Sequence, residues 1–227
     1  MKAPALHRHT LAASLFVLAM SAGIGAAYAV EPPVHIRGTV ETVTADSFSV
    51  LTASGVKTIH MTPETHVAGV VPSDLKAIKP GTFIGTANVE NRGAARALEV
   101  VVFPASMKGT GLGDYAWDLP AKKSGGTSAM TNGTVKSSHM SGGLMHSSMT
   151  NGTVKKASSA GGMQLVVDYG KGEKTISVPP NVPVVAFQPA DKSAIVRGEH
   201  VFVVAKPGTT MEAIFVAAGL NGTVPPM

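Results

Sequence analysis

The chain contains a long internal repeat. The segment from Lys57 to Gly81 returns as the segment from Lys174 to Gly198, and lysine and glycine are 24 residues apart in both copies. Each copy begins with Lys-Thr-Ile, and an apolar run with a phenylalanine follows its glycine. A repeat of this length indicates that one folding unit occurs twice, which constrains the architecture before any chemistry is considered.

Each copy has the pattern of a small β-unit. Residues 34–43 alternate apolar and polar side chains, as in a half-buried strand, and further short strand-like runs bounded by turn residues follow. A short helical turn is predicted between the third and fourth strands, at 73–78 in the first copy and 190–195 in the second. Three strands, a helical plug and a closing hairpin predict an OB-like β-barrel; a small sandwich is the alternative.

The first strand of the second copy has two candidates. The block Met-Thr-Asn-Gly-Thr-Val-Lys occurs at Met130–Lys136 and again at Met149–Lys155, 19 residues later. Only one block can occupy the edge position beside the next strand, and we expect the block at Met149 to do so.

The N-terminus has the pattern of an export leader. Lys2 and Arg8 precede an apolar run at 11–20, and small residues lead to Ala27-Tyr28-Ala29, typical of a cleavage site. A retained membrane anchor is the alternative, but the apolar run is shorter than the roughly 20 residues needed to cross a bilayer. We expect cleavage before Val30. No later stretch is apolar and long enough to span a membrane, and the chain has no cysteine.

Together these patterns predict an all-β protein with two tandem small OB-like β-barrels, each with a short helical plug, after a cleaved signal peptide. The predicted divisions are a signal peptide at 1–29, a first barrel at 34–104, a linker with Gly-rich and Met/His-rich segments at 105–148, a second barrel at 149–219 and a tail at 220–227.

Several short motifs resemble those of a known family. They include Arg37-Gly38-Thr39-Val40, Ile78-Lys79-Pro80-Gly81, Trp117-Asp118-Leu119, His200-Val201-Phe202-Val203 and the closing Val224-Pro225-Pro226-Met227. The mature chain resembles exported proteobacterial proteins of unknown function, whose members are often labelled metal ABC transporter permeases. The resemblance implies tandem small β-barrels and a periplasmic location. The permease label conflicts with the absence of membrane-spanning stretches in this sequence.

The chain departs from the family pattern between Gly126 and Gly161, where the Met-Thr-Asn-Gly-Thr-Val block occurs twice. This segment contains the only group of residues in the sequence that suggests a metal site. His139, Met140, Met145, His146 and Met149 lie in a Gly/Ser-rich stretch. Thioether and imidazole groups suit Cu(I), because soft sulfur prefers a soft ion. The hypothesis is a weak Cu(I) or Ag(I) site. The alternative is a duplication that copied methionines into a loop where any side chain is tolerated, with no metal or other cofactor.

Other chemistry finds little support in the sequence. His60 and His66 flank Pro63 without further ligands at zinc-site spacing, so we interpret them as a surface and a turn histidine. No nucleophile elbow, HExxH helix or phosphate-binding glycine loop is present, which predicts a protein that is not an enzyme. Few aromatic and scattered basic residues argue against a nucleic-acid partner.

The aromatic residues Tyr115 and Trp117 follow a glycine series in the predicted linker. They either clamp the two domains together or form an exposed recognition patch. The sequence as a whole predicts a non-enzymatic periplasmic binding or adaptor protein of the cell envelope, with an envelope protein or small ligand as its partner. The alternative is a periplasmic copper-type metal-handling protein that uses the Met/His segment.

Overall fold

Strands dominate the computed structural model, which describes residues 31–91, 93–118, 127–140 and 162–225. In chain order they are β1 (Val34–Val43), β2 (Ser47–Thr52), β3 (Gly55–His60), β4 (His66–Pro72), β5 (Phe83–Asn91), β6 (Ala94–Ala97), β7 (Val100–Val102), β8 (Gly113–Ala116), β9 (Thr127–Met140), β10 (Met163–Asp168), β11 (Glu173–Val178), β12 (Val184–Pro189), β13 (His200–Lys206) and β14 (Met211–Gly219).

The helical content of the described residues is limited to short 3₁₀ turns, at Leu75–Ala77, Ala105–Met107 and Lys192–Ala194. None of their helices is long and apolar enough to cross a membrane. The prediction of an all-β protein is therefore confirmed. The first and third turns lie at the positions where the sequence predicts the helical plugs.

The strands form one mixed sheet that contains two closed rings. Ring I consists of β1, β2, β3, β14 and β13, and it closes because β13 pairs with both β14 and β1. Ring II consists of β5, β6, β11, β10 and β9, and it closes through the pairing of β5 with β9. Strands β4, β12 and β7 connect the rings, with β4 and β12 antiparallel to each other.

Each ring takes its strands from both halves of the chain. The closing hairpin β13–β14 belongs to the second repeat but completes ring I around β1–β3 of the first repeat. The hairpin β5–β6 of the first repeat completes ring II around β9–β11. Neither ring therefore coincides with the continuous ranges 34–104 and 149–219. Local strand patterns look the same whether a hairpin closes its own half or the other one, so the sequence does not reveal the exchange.

The plugs follow the same exchange. Ile78, after the first 3₁₀ turn, is 2% exposed and lies in the core of ring II with Ile84 and Leu165. Ile195, after the third turn, is also 2% exposed and lies in the core of ring I. Gly81 and Gly198 follow the two plugs with the same φ of 91°, a left-handed conformation that favours glycine.

The first strand of the second repeat is β9, which contains the Met130 block. Gly38 of β1 and Gly133 of β9 are structural counterparts: a Cβ would come 2.1 Å from the carbonyl oxygen of Leu51 at the first, and 2.2 Å from that of Asp168 at the second. At both positions only glycine allows so close an approach. The assignment of this position to the Met149 block is wrong, because β9 with the Met130 block is the strand that pairs with β10. The Met149 block itself lies outside the described residues.

Candidate functional site

An apolar cleft of about 520 Å³ lies where strands from both repeats meet. Its walls come from the start of β4, the end of β12, the middle of β14 and the segment that follows β7. The lining residues are His66, Val67, Ser106, Met107, Thr110, Pro189, Ala190, Ile214 and Phe215. Most of this lining is hydrocarbon, which is the usual character of a site that takes a small ligand.

One wall of the cleft is braced by aromatic rings. Phe215 contacts Phe187 with ring centroids 5.6 Å apart, and Phe187 contacts Phe103 at 5.0 Å. Both contacts are edge-to-face, which is a favoured arrangement for aromatic pairs. Phe187 and Phe103 belong to the buried cluster between the two rings, so the wall of the cleft is continuous with the protein core.

A more polar cavity of about 490 Å³ shares His66, Val67 and Ala190 with the cleft. This cavity adds Thr65, Asp191 and Lys192 to the lining. The Asp191 carboxylate accepts a hydrogen bond from the backbone N–H of Ser193 at 2.8 Å, and hydrogen bonding to Ser193 lowers the pKa of Asp191. One mouth of the cleft therefore offers an imidazole, an amine and a charged carboxylate.

A cluster of aromatic and charged side chains lies on the outside of ring I. The indole of Trp117 packs against His35 of β1, with centroids 4.2 Å apart, and against Phe202 of β13 at 6.0 Å. The Arg37 guanidinium lies 5.1 Å from the Phe202 ring centroid. Trp117 is half-buried in this contact, which fits a clamp, whereas Tyr115 of the same segment is 41% exposed.

An ion pair holds this clamp in place. Arg37 donates to both oxygens of Asp118, from Nη1 to Oδ2 at 2.9 Å and from Nη2 to Oδ1 at 2.8 Å. These two hydrogen bonds are the main reason that the pKa of Asp118 is lowered, since they favour the charged carboxylate. His35 Nδ1 lies 3.4 Å from the same Oδ1. The segment after β8 is thereby tied to β1.

The Met/His hypothesis concerns the β9–β10 connection. His139 and Met140 are the last residues of β9 and pair with Gln164 and Met163 of β10. Met145, His146 and Met149 lie outside the described residues. Among the described residues, no group of three or more histidine, cysteine, aspartate or glutamate side chains is placed to hold a metal ion. The structure thus describes two of the five predicted ligands, His139 and Met140, and they lie at the end of a strand of ring II.

The sequence did not single out the cleft. Of its lining residues only His66 drew notice, as a turn histidine, and it lies exposed at the start of β4. Met107, Phe215 and Pro189 are separated widely in the sequence and have no shared motif. The exchange of hairpins brings them together, so no local pattern could have revealed them.

Comparisons with known proteins do not extend these observations. No protein-family model, curated protein or solved structure matches the chain.

Proposed function

We propose that the protein is a non-enzymatic binding protein of the cell envelope that holds a small, largely apolar ligand in the cleft beside His66. The observation that carries this proposal is the cleft itself, with a volume of about 520 Å³ and an apolar lining that includes Met107, Pro189 and Phe215. An apolar ligand gains roughly 25 cal/mol for each Å² of apolar surface that it removes from water.

The polar mouth would orient such a ligand. His66 and Lys192 can donate hydrogen bonds to a polar head, while the apolar end excludes water around the remainder. A few polar groups at one end of an apolar pocket are the common way in which binding proteins fix the orientation of a ligand.

Binding of the fluorescent apolar probe 1-N-phenylnaphthylamine to the mature protein tests the cleft. Met107→Lys places a charge in the apolar end and Thr110→Phe fills it; we expect each to weaken probe binding at least tenfold. Leu51→Lys is the matched control, because Leu51 is 49% exposed and does not line the cleft. Equal probe affinity in all four proteins would reject the cleft as the binding site.

The same proposal has three further parts. The protein is exported to the periplasm, each ring is an OB-like barrel, and the chain belongs to the exported family that it resembles. Their support is the leader pattern at 1–29 and the closed pairing of each ring. N-terminal sequencing of protein from a periplasmic fraction should begin near Val30. Recovery of the uncleaved chain in the membrane fraction would contradict it.

Copper handling is the second candidate. It is favoured by His139 and Met140, which end β9 and share a Gly/Ser-rich stretch of the sequence with Met145, His146 and Met149. Titration with Cu(I) against a competing chelator should show binding that is lost when all five residues are replaced by serine. Unchanged affinity in that variant would reject the site.

A further inference from the structure

Ring II carries an added strand. Strand β8 pairs antiparallel with β9, from Gly113 opposite Asn132 to Ala116 opposite Ala129. The same stretch of β9 pairs on its other edge with β5. Strand β8 therefore covers the edge of β9 that ring closure leaves open.

Polar contacts fix β8 in this position. The Asp114 carboxylate lies 3.1 Å from Lys174 Nζ of β11, and it accepts a hydrogen bond from Thr131 Oγ1 at 2.6 Å. Asn132 Nδ2 donates to the Tyr115 hydroxyl at 3.0 Å. Lys174 also lies 3.3 Å from Glu90, and only 13% of its side chain is exposed. The acidic residue of β8 is thus matched to a lysine of the ring.

The repeat identifies the equivalent place in ring I. Thr39 of β1 pairs with Leu51 and His200, while Thr134 of β9 pairs with Asp168 and Phe83, the repeat counterparts of those residues. With Gly38 matched to Gly133, the stretch of β1 at 34–37 corresponds to the stretch of β9 at 129–132. Lys57 corresponds to Lys174 by the same repeat.

In ring I no described residue occupies that place as a strand. A cavity of about 320 Å³ lies between β1 and the β2–β3 turn, lined by His35, Ile36, Arg37, Thr52, Ala53, Ser54 and Lys57. Within the described ranges, no strand pairs with this edge of β1 at 34–37. Among the same residues, no carboxylate forms an ion pair with Lys57, whereas Lys174 has two such partners.

We propose that this edge of β1 receives an extended acidic segment of a partner protein, which adds to the ring as β8 adds to ring II. The segment would run antiparallel to β1, and an aspartate or glutamate of it would pair with Lys57. Main-chain hydrogen bonds supply affinity in strand addition, and side-chain pockets supply specificity. The site shares no lining residue with the cleft beside His66, so it stands or falls independently of the proposed small ligand.

Strand β8 itself provides the probe. A fluorescein-labelled peptide with the sequence of residues 109–116, Gly-Thr-Gly-Leu-Gly-Asp-Tyr-Ala, is titrated with the full mature protein and followed by anisotropy. We expect binding that weakens at least tenfold with Lys57→Glu or with asparagine in place of the peptide aspartate. Lys171→Glu is the control of equal charge change on the exposed surface of ring II, and it should alter affinity less than twofold.

Methylated peptides separate strand addition from simple charge attraction. The backbone N–H of Trp117 donates to Ser128 of β9, so the alternation of a strand also directs the Tyr115 N–H toward its partner and the Asp114 N–H away. N-methylation at the tyrosine should abolish binding, and N-methylation at the aspartate should leave it. No binding, equal binding to Lys57→Glu, or equal effects of the two methyl groups would each overturn the proposal.

Discussion

The two rings have the same strand arrangement but differ at the edge of their first strand. Both contain three strands of one repeat and a closing hairpin of the other, and both are plugged by an isoleucine at the same repeat position, Ile195 in ring I and Ile78 in ring II. Ring II has an added strand beside its first strand, and ring I has a cavity there. This difference is the basis of the proposed binding edge, because the strand added to ring II indicates what kind of segment would add to ring I.

One short segment accounts for much of this asymmetry. Strand β8 pairs with ring II, and the next residues, Trp117 and Asp118, pack against His35 and Arg37 of ring I. Among the described residues, no strand follows β14 as β8 follows β7. The segment therefore covers an edge of ring II with β8 and contacts ring I through Trp117 and Asp118.

The exchange of hairpins gives the largest expected effect. Ile195→Ala removes a buried side chain from ring I, and Ile-to-Ala changes in cores typically cost about 2–5 kcal/mol. Ile78→Ala should destabilise ring II by a similar amount. Urea unfolding measures the loss, and hydrogen exchange shows where it acts: Ile195→Ala should speed exchange in β1–β3, which belong to the other half of the chain.

The control is Val196→Ala, since Val196 is the next residue and is 47% exposed. It should leave both the urea midpoint and exchange in β1–β3 nearly unchanged. If Ile195→Ala instead speeds exchange mainly in β10 and β11, each repeat closes on itself and the exchanged arrangement is wrong.

The two matched lysines give a smaller effect that tests the difference between the rings. Lys174→Ala leaves Asp114 and Glu90 without their cation, and hydrogen bonds to charged groups contribute roughly 1.5–3 kcal/mol each when largely shielded from water. We expect a loss of about 1–2 kcal/mol in urea unfolding and faster exchange at the Tyr115 amide, because some water still screens the pair. Lys57→Ala should stay within about 0.5 kcal/mol of the parent, as for a surface change. Equal losses from the two variants would show that the edge of ring I is not open.

The sequence predicts the elements of this fold well and their partners poorly. The alternating pattern at 34–43, the plugs before Gly81 and Gly198 and the all-β composition all correspond to observed structure. The pairing of β13 with β1 joins residues more than 150 positions apart, and no local pattern distinguishes it from pairing within a repeat. The prediction that the Met149 block forms the first strand of the second repeat was also wrong. The two blocks are identical, so only their pairing partners distinguish them.

The candidate sites depend on that long-range pairing. Lys57 and Lys174 are visible as repeat counterparts in the sequence, but the difference between them lies in Asp114, which comes from a segment between the repeats. The sequence left open whether Tyr115 and Trp117 form a clamp or an exposed patch; in the structure Trp117 is half-buried and Tyr115 is 41% exposed. The partners of Trp117 on β1 and β13 could not be read from the sequence.

The clamp on ring I gives the smallest expected effect, a pH-dependent one. Arg37 lowers the pKa of Asp118 below its ordinary value of 3.8, so this carboxylate stabilises the clamp above that value. The stabilisation is lost as the pH falls through the lowered pKa, because the protonated carboxyl no longer pairs with Arg37. Trp117 is the only tryptophan, and its emission should shift to the red below about pH 3.8. Asp118→Asn should show the red-shifted emission already at neutral pH and no acid transition, whereas Asp46→Asn should behave as the parent. Emission that stays constant until far-UV circular dichroism reports global unfolding would show that Arg37 and Asp118 do not hold the indole against ring I.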